Sequence, residues 1–102
     1  MFTAGTGSVC VIVEDIASAI RVGKVTSAHS LLGTSVTTSQ LSQLGEYDLV
    51  IIWLDSDGAG RSGATKLRRG LSLITETAQI VTNEDPKMLT EQQIRQELSK
   101  WI

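Results

Sequence analysis

Leu49-Val50-Ile51-Ile52-Trp53-Leu54-Asp55-Ser56-Asp57-Gly58-Ala59-Gly60 is an unbroken apolar run that stops on two carboxylates and a glycine-rich turn. Six apolar residues in a row, Leu49 to Leu54, give the pattern of a strand covered on both faces, as in a parallel sheet. Such a strand delivers Asp55 and Asp57 to the surface at its carboxyl end. Two carboxylates at i and i+2 can share a divalent cation, because hard metals take oxygen ligands and neutralise the mutual repulsion. A solvated loop rich in Asp and Gly has the same local composition, so the stretch alone leaves both readings open.

The bulk properties set limits around it. With 102 residues, 41% hydrophobic and 20% charged, the chain is sized and composed for one globular domain with a single core. No apolar run approaches the roughly 20 residues of a membrane span. The N-terminus carries no basic region leading into an apolar segment, so a cytoplasmic home and no membrane partner are expected. Cys10 has no second cysteine to pair with, and with His29 as the single histidine the chain cannot assemble a cysteine/histidine zinc site. Both sit in apolar strand contexts and read as structural. A net charge of -2 gives no global attraction to nucleic acid, so any basic surface is local.

Working outward, residues 1–8 read as a flexible lead-in of small residues and glycines, and residues 9–102 as a single domain. Val9 to Val13 is a first buried strand ending on Glu14 and Asp15. From Ile16 the spacing turns helical, with Ile16, Ala19 and Ile20 on one face and Gly23 as a stop. Ala28 to Leu32 is a second strand, turned by Gly33. Thr37-Thr38-Ser39-Gln40 has capping-box form ahead of a short helix with Leu41 and Leu44. After the strand Leu49 to Leu54, a third helix begins near Gly60 and carries Ala64, Leu67, Leu71 and Ile74 on one stripe, with Arg61, Lys66, Arg68 and Arg69 on the other side. Ala78 to Val81 is a fourth strand, and Asn83-Glu84-Asp85-Pro86-Lys87 interrupts regular structure with the only proline. A second capping box, Thr90 to Gln93, opens a last helix that buries Ile94, Leu98 and Trp101.

Four strand-helix repeats predict an α/β fold: a small, open, mainly parallel four-stranded sheet with helices on both faces, a Rossmann-like three-layer arrangement. Ligands of such sheets sit beyond the carboxyl ends of the strands. Glu14 lies at that end of the first strand and Asp55 at that end of the third, so the two converge if those strands are neighbours. Three carboxylates gathered there repel one another and raise one another's pKa unless a cation such as magnesium joins them. The chemistry that follows is phosphoryl transfer. A Glu14 carboxylate not engaged by metal would serve as general acid or base.

These residues resemble the Toprim domain shared by primases, type IA and type II topoisomerases, OLD-family nucleases and recombination proteins. The marks are a glutamate after the first strand, within Val13-Glu14-Asp15-Ile16, and an Asp-x-Asp after the third, Leu54-Asp55-Ser56-Asp57. Asp57-Gly58-Ala59-Gly60-Arg61 looks like the run that follows in primases and primase-helicases, phage proteins included. Leu32-Gly33-Thr34 falls at the family's glycine turn, and Asp85-Pro86-Lys87 with the helix after it resembles the primase arm. The resemblance covers nearly the whole chain.

It implies magnesium, replaceable by manganese, held by Glu14, Asp55 and Asp57, which are also the catalytic residues, with Glu14 as general acid or base or as a ligand. Asp85 is a weaker, auxiliary acid at the same surface. A solvated helix face is the simpler account of Arg61, Lys66, Arg68 and Arg69, and phosphate contact near the metal is the alternative. The implied activity is nucleotidyl transfer of the primase type, making RNA primers in DNA replication. The implied partners are DNA or RNA, as single-stranded template or primer end, and replication proteins such as a helicase, a polymerase or the remaining primase modules. The implied compartment is the cytoplasm of a bacterium or phage-infected host. The alternatives are a Toprim nuclease or a non-catalytic binding module.

The chain departs from the family in placing Asp15 where most members have glycine, which either alters the backbone there or adds a ligand. It also lacks the zinc-binding module and separate catalytic subdomain of full primases, so it is expected to act as part of a larger assembly.

Two other patterns compete. Gly58-Ala59-Gly60-Arg61-Ser62-Gly63 is a literal G-x-G-x-x-G with Asp85 about 20 residues on, as in dinucleotide sites. Asp55 and Asp57 would crowd a pyrophosphate with negative charge there, and the motif follows the third strand rather than opening the fold. A phospho-accepting receiver would use Glu14-Asp15, Asp55 and Thr82, but needs a fifth strand ending in lysine and gives Asp57 no role. Trp53 and Trp101 read as core, and four aromatic residues do not make a stacking platform for bases.

Overall fold

The structure is a computed structural model that describes residues 2–30, 38–54, 67–82 and 84–101. In chain order the elements are β1 (Phe2–Ala4), β2 (Val9–Val13), α1 (Ile16–Val22), β3 (Ser27–Ser30), α2 (Thr38–Leu44), β4 (Leu49–Ile52), α3, whose described residues are 67–71, β5 (Glu76–Gln79), a 3-10 turn (Pro86–Met88) and α4 (Glu91–Leu98). They form one sheet in the order β1-β3-β2-β4-β5. The strands from β2 to β5 run parallel, and β1 pairs antiparallel with β3.

The side-chain alternation of the two central strands divides the core into two layers. Cys10, Ile12, Val50, Ile52 and Leu54 face one side, where Leu44 of α2 and Leu67 and Leu71 of α3 cover them. Val11, Val13, Ile51 and Trp53 face the other, against Ala19 and Val22 of α1 and Ile94 and Leu98 of α4. Both faces of β2 and β4 are buried, and this explains why the two strands read as continuous apolar runs. The expected three-layer α/β architecture with helices on both faces is therefore present.

Several expectations need correction. Phe2–Ala4 is an edge strand in register with β3, Thr3 opposite His29, rather than a lead-in outside the sheet. Its connection to β2 turns at Gly5, whose φ of 72° lies in the left-handed region. A Cβ at Gly5 would collide with the carbonyl oxygens of Thr26 and Gly23, so this glycine is demanded by close backbone packing.

β3 begins one residue earlier than expected, at Ser27, and Leu31 and Leu32 lie outside the described residues. β5 is Glu76–Gln79 rather than Ala78 to Val81. As an edge strand it tolerates the exposed Glu76 and Gln79, so apolarity marks its end instead of its centre. In α1, Ala19 and Val22 face the sheet while Ile16 and Ile20 are exposed. The small Ser18 and Ala19 let neighbouring chain approach closely, and the Lys87 N–H donates to the Ser18 hydroxyl at 3.2 Å. Ile74 lies past the end of α3 in a turn and is exposed. The Gly33 turn, the Thr37 end of the first capping box and the start of α3 fall outside the described residues.

The second capping box is formed as expected. The Gln93 N–H donates to the Thr90 hydroxyl at 3.1 Å and the Thr90 N–H donates to the Gln93 side chain at 2.8 Å. Ile94 and Leu98 are fully buried and Trp101 packs partly buried against the same layer. Cys10 is buried, and burial pushes its thiol well above the usual range, so it is an inert core residue. His29 is buried as well, with Nε2 2.8 Å from the Tyr47 hydroxyl, which lies 3.1 Å from the Ser27 hydroxyl.

Candidate functional site

From β2 the chain crosses to β3 on one side, then returns to β4 on the other side of β2. The crevice beyond the carboxyl ends of β2 and β4 is thus the sheet's topological switch point, where open α/β sheets bind ligands. The two strands are neighbours in register, Ile12 beside Ile52, and the Trp53 N–H donates to the Ile12 carbonyl at 2.8 Å. The condition for convergence of the two acidic strand ends is therefore met.

Glu14 follows β2 at this rim and is half-buried. Its backbone carbonyl accepts from the buried Ser30 hydroxyl at 3.1 Å, which ties the end of β3 to the end of β2. On the other flank, the Ile80 N–H donates to the Ile52 carbonyl at 2.9 Å, and the Trp53 indole N–H donates to the Thr82 hydroxyl at 2.9 Å. Four strand ends are bonded edge to edge beneath the rim. Leu54 is the last described residue before Asp55, and Asp55, Asp57, Arg61 and Lys66 lie outside the described residues. Arg68 and Arg69 are exposed on α3.

Asp15 has a role that the sequence reading left open. It is the N-cap of α1, accepting from the Ser18 N–H at 2.7 Å. The carboxylate also pairs with Lys87 Nζ at 3.3 Å. Burial raises the Asp15 pKa, but the hydrogen bonds from Ser18 and Lys87 outweigh it, so the carboxyl titrates below the usual Asp range. The same Lys87 ammonium is 3.7 Å from Asp85 Oδ2. Asp85 is thereby brought to the α1 end of the rim beside Asp15. The 3-10 turn holding Lys87 is further fixed by Arg21, which donates to the Leu89 carbonyl at 2.9 Å.

Ser18, Ser30 and Lys87, which brace this rim, were not picked out by motif reading, and the capping role of Asp15 was not foreseen. An Asp directly before the first helical residue was the available signal for the cap. Nothing local in the sequence announces a bridge from Lys87 to Asp15.

The donor set suits a hard cation, because Glu14, Asp55 and Asp57 supply only carboxylate oxygens. Among the described residues, no group of three His, Cys, Asp or Glu stands close enough to hold a metal ion, and only Glu14 of the three expected ligands is described. Also among the described residues, no helix is long and apolar enough to cross a membrane.

A doubly covered parallel sheet with an acid at the switch point defines a class of α/β domains that work at strand ends. Within that class, a family model described as Toprim-like matches residues 12–93. The chain belongs to the Toprim-like family. No curated protein matches it significantly. Toprim domains bind magnesium and process nucleic acids with it, and that general function comes with the family.

Proposed function

We propose that this domain carries out magnesium-dependent phosphoryl or nucleotidyl transfer on nucleic acid, with a primase-related role in a larger replication assembly. The observation that carries the reading is the adjacency of β2 and β4, which sets Glu14 beside the strand that runs into Asp55-Ser56-Asp57. Asp55 and Asp57 would hold the cation, with Glu14 as a further ligand or as general acid or base. A divalent cation held by these carboxylates would supply electrostatic stabilisation of the charge that develops in phosphoryl transfer. Glu14 is suited to a proton-transfer role by its half-buried place at the rim, where the Ser30 bond fixes its backbone. Arg61, Lys66, Arg68 and Arg69 would contact the nucleic-acid backbone, and Asp85 would act only as an auxiliary acid.

Incubation of the chain with single-stranded template, ribonucleotides and manganese, alone and with its companion replication proteins, tests priming. Primer synthesis that is lost in Asp55→Asn supports the reading. Cleavage of labelled plasmid without primer synthesis would instead make the domain a Toprim nuclease. Inactivity in both assays, with nucleic-acid binding retained, would make it a binding module.

A further inference from the structure

Between β5 and the carboxyl end of α4 lies a cleft of about 380 Å³, lined by Gln79, Ile80, Gln96, Glu97, Lys100 and Trp101. It stands at the same end of the sheet as Glu14, because Gln79 is level with Ile52 and Ile52 with Ile12, two residues before Glu14. Two strand spacings, about 10 Å, separate β5 from β2 across the sheet.

The lining combines an aromatic ring, a free backbone edge and unengaged polar side chains. Trp101 is half-buried, packed on one side against the α1 and α4 core layer and bordering the cleft on the other. The Ile80 N–H donates to the Ile52 carbonyl at 2.9 Å, so by strand alternation the N–H and carbonyl of Gln79 point away from β4, to the edge that no described strand covers. Elsewhere on α4, Gln93 is engaged in the capping box and Glu91 pairs with Arg95 at 3.1 Å. The side chains of Gln96, Glu97 and Lys100 make no hydrogen bond or ion pair among the described residues.

We propose that this cleft is a nucleotide subsite in which one base stacks on Trp101, its edge meets the Gln79 backbone N–H and carbonyl, and the adjoining phosphate meets Lys100. The proposal rests on the nucleic-acid reading above and adds where a base is held. A base offers a π face and an edge carrying both donors and acceptors, and the ring and the strand edge complement them. The Gln96 amide both donates and accepts, and Glu97 can accept from an exocyclic amino group. The volume is at the lower end of the roughly 300–1,000 Å³ of small-molecule sites, which suits a single nucleotide. One ring is no platform for a run of bases, but one base needs no more. Glu97 offsets the charge of Lys100, so stacking rather than net charge supplies most of the affinity.

The test titrates oligo(dT) and dTMP into the chain in EDTA, so that no metal contributes, and follows tryptophan fluorescence. Trp53 is 1% exposed, so a saturable quench reports on Trp101, and such a quench is expected in wild type. Fluorescence polarisation of labelled oligo(dT) should show about tenfold weaker binding in Trp101→Ala and in Lys100→Glu, tenfold being about 1.4 kcal/mol and within the roughly 1–3 kcal/mol of one stacked base. Trp101→Phe keeps a ring and should lose less than Trp101→Ala. Lys100 is exposed, so Lys100→Glu carries the test by itself if Trp101→Ala does not fold. Tighter binding of oligo(dT) than of dTMP would assign the cleft to a base within a strand, and equal affinity to a free nucleotide. No quench by either ligand, or equal affinities in wild type and Lys100→Glu, would overturn the proposal. Asp55→Asn/Asp57→Asn is expected to quench as wild type does, so a failure of the metal site or of priming is distinguishable from a failure of this subsite.

Discussion

The backbone N–H of Trp53 donates to the carbonyl of Ile12 at 2.8 Å, and this bond draws the carboxyl ends of the two central strands level. Glu14 comes two residues after Ile12 and Asp55 two after Trp53, so the bond sits just beneath the place where the acids leave the sheet. Trp53 also fills the core on the α1 and α4 side at 1% exposure and bonds Thr82 through its indole. Trp53→Ala is expected to cost about 3–5 kcal/mol, read from urea unfolding followed by circular dichroism. A cost under about 1 kcal/mol would mean that the side chain is not the core element described.

Asp15 caps α1 through the Ser18 N–H. Asp15→Ala should lower stability by about 0.5–2 kcal/mol, and Asp15→Asn, an equally good cap, should recover most of it. If asparagine and alanine proved equally damaging, the cap would not be the reason for an acid at this position.

Gly5 turns the chain from β1 into β2 at positive φ, against the carbonyls of Thr26 and Gly23. Gly5→Ala is expected to cost about 1–3 kcal/mol from the backbone conformation alone, with the collision adding to it. Thermal melting of the variant checks this, and an unchanged melting temperature would show that β1 does not pack as described.

His29 supplies a pH dependence. Burial lowers its pKa from the ordinary value of 6.5, so the unfolded chain binds the proton more readily than the folded one. Its contribution to stability is present above about pH 6.5 and is lost as pH falls from there toward the folded pKa. Because His29 is the only histidine, the loss between about pH 7 and 5.5 should vanish in His29→Gln. Tyr47→Phe removes the hydroxyl 2.8 Å from Nε2 and should cost about 1–3 kcal/mol at neutral pH. Identical slopes of stability against pH in wild type and His29→Gln would refute the assignment.

The central architecture was legible because β2 and β4 are buried on both faces, which leaves a signal in composition that needs no knowledge of neighbours. Helix α4 was legible for a similar local reason, its capping box being written within four residues. The edges were not. β1 is three residues long and owes its place to backbone pairing with β3, and β5 sits at an edge where polar side chains are tolerated. The inward face of α1 was misread because Ile16 and Ile20 are more apolar than Ser18 and Ala19, yet close approach of Lys87 favours the smaller pair. The position of Glu14 at the carboxyl end of β2 was legible from its place after an apolar run. The Asp15–Lys87–Asp85 bridge was not, since it joins residues about 70 apart in sequence through tertiary contact alone.

The claim that Glu14, Asp55 and Asp57 form one divalent-cation site is tested most directly by titrating Mg2+ or Mn2+ into wild type and into Asp55→Asn/Asp57→Asn, with binding heat as the readout. Saturable binding in wild type that disappears in the variant, while both proteins give the same circular dichroism, is the expected result. Equal binding in the two proteins would contradict it.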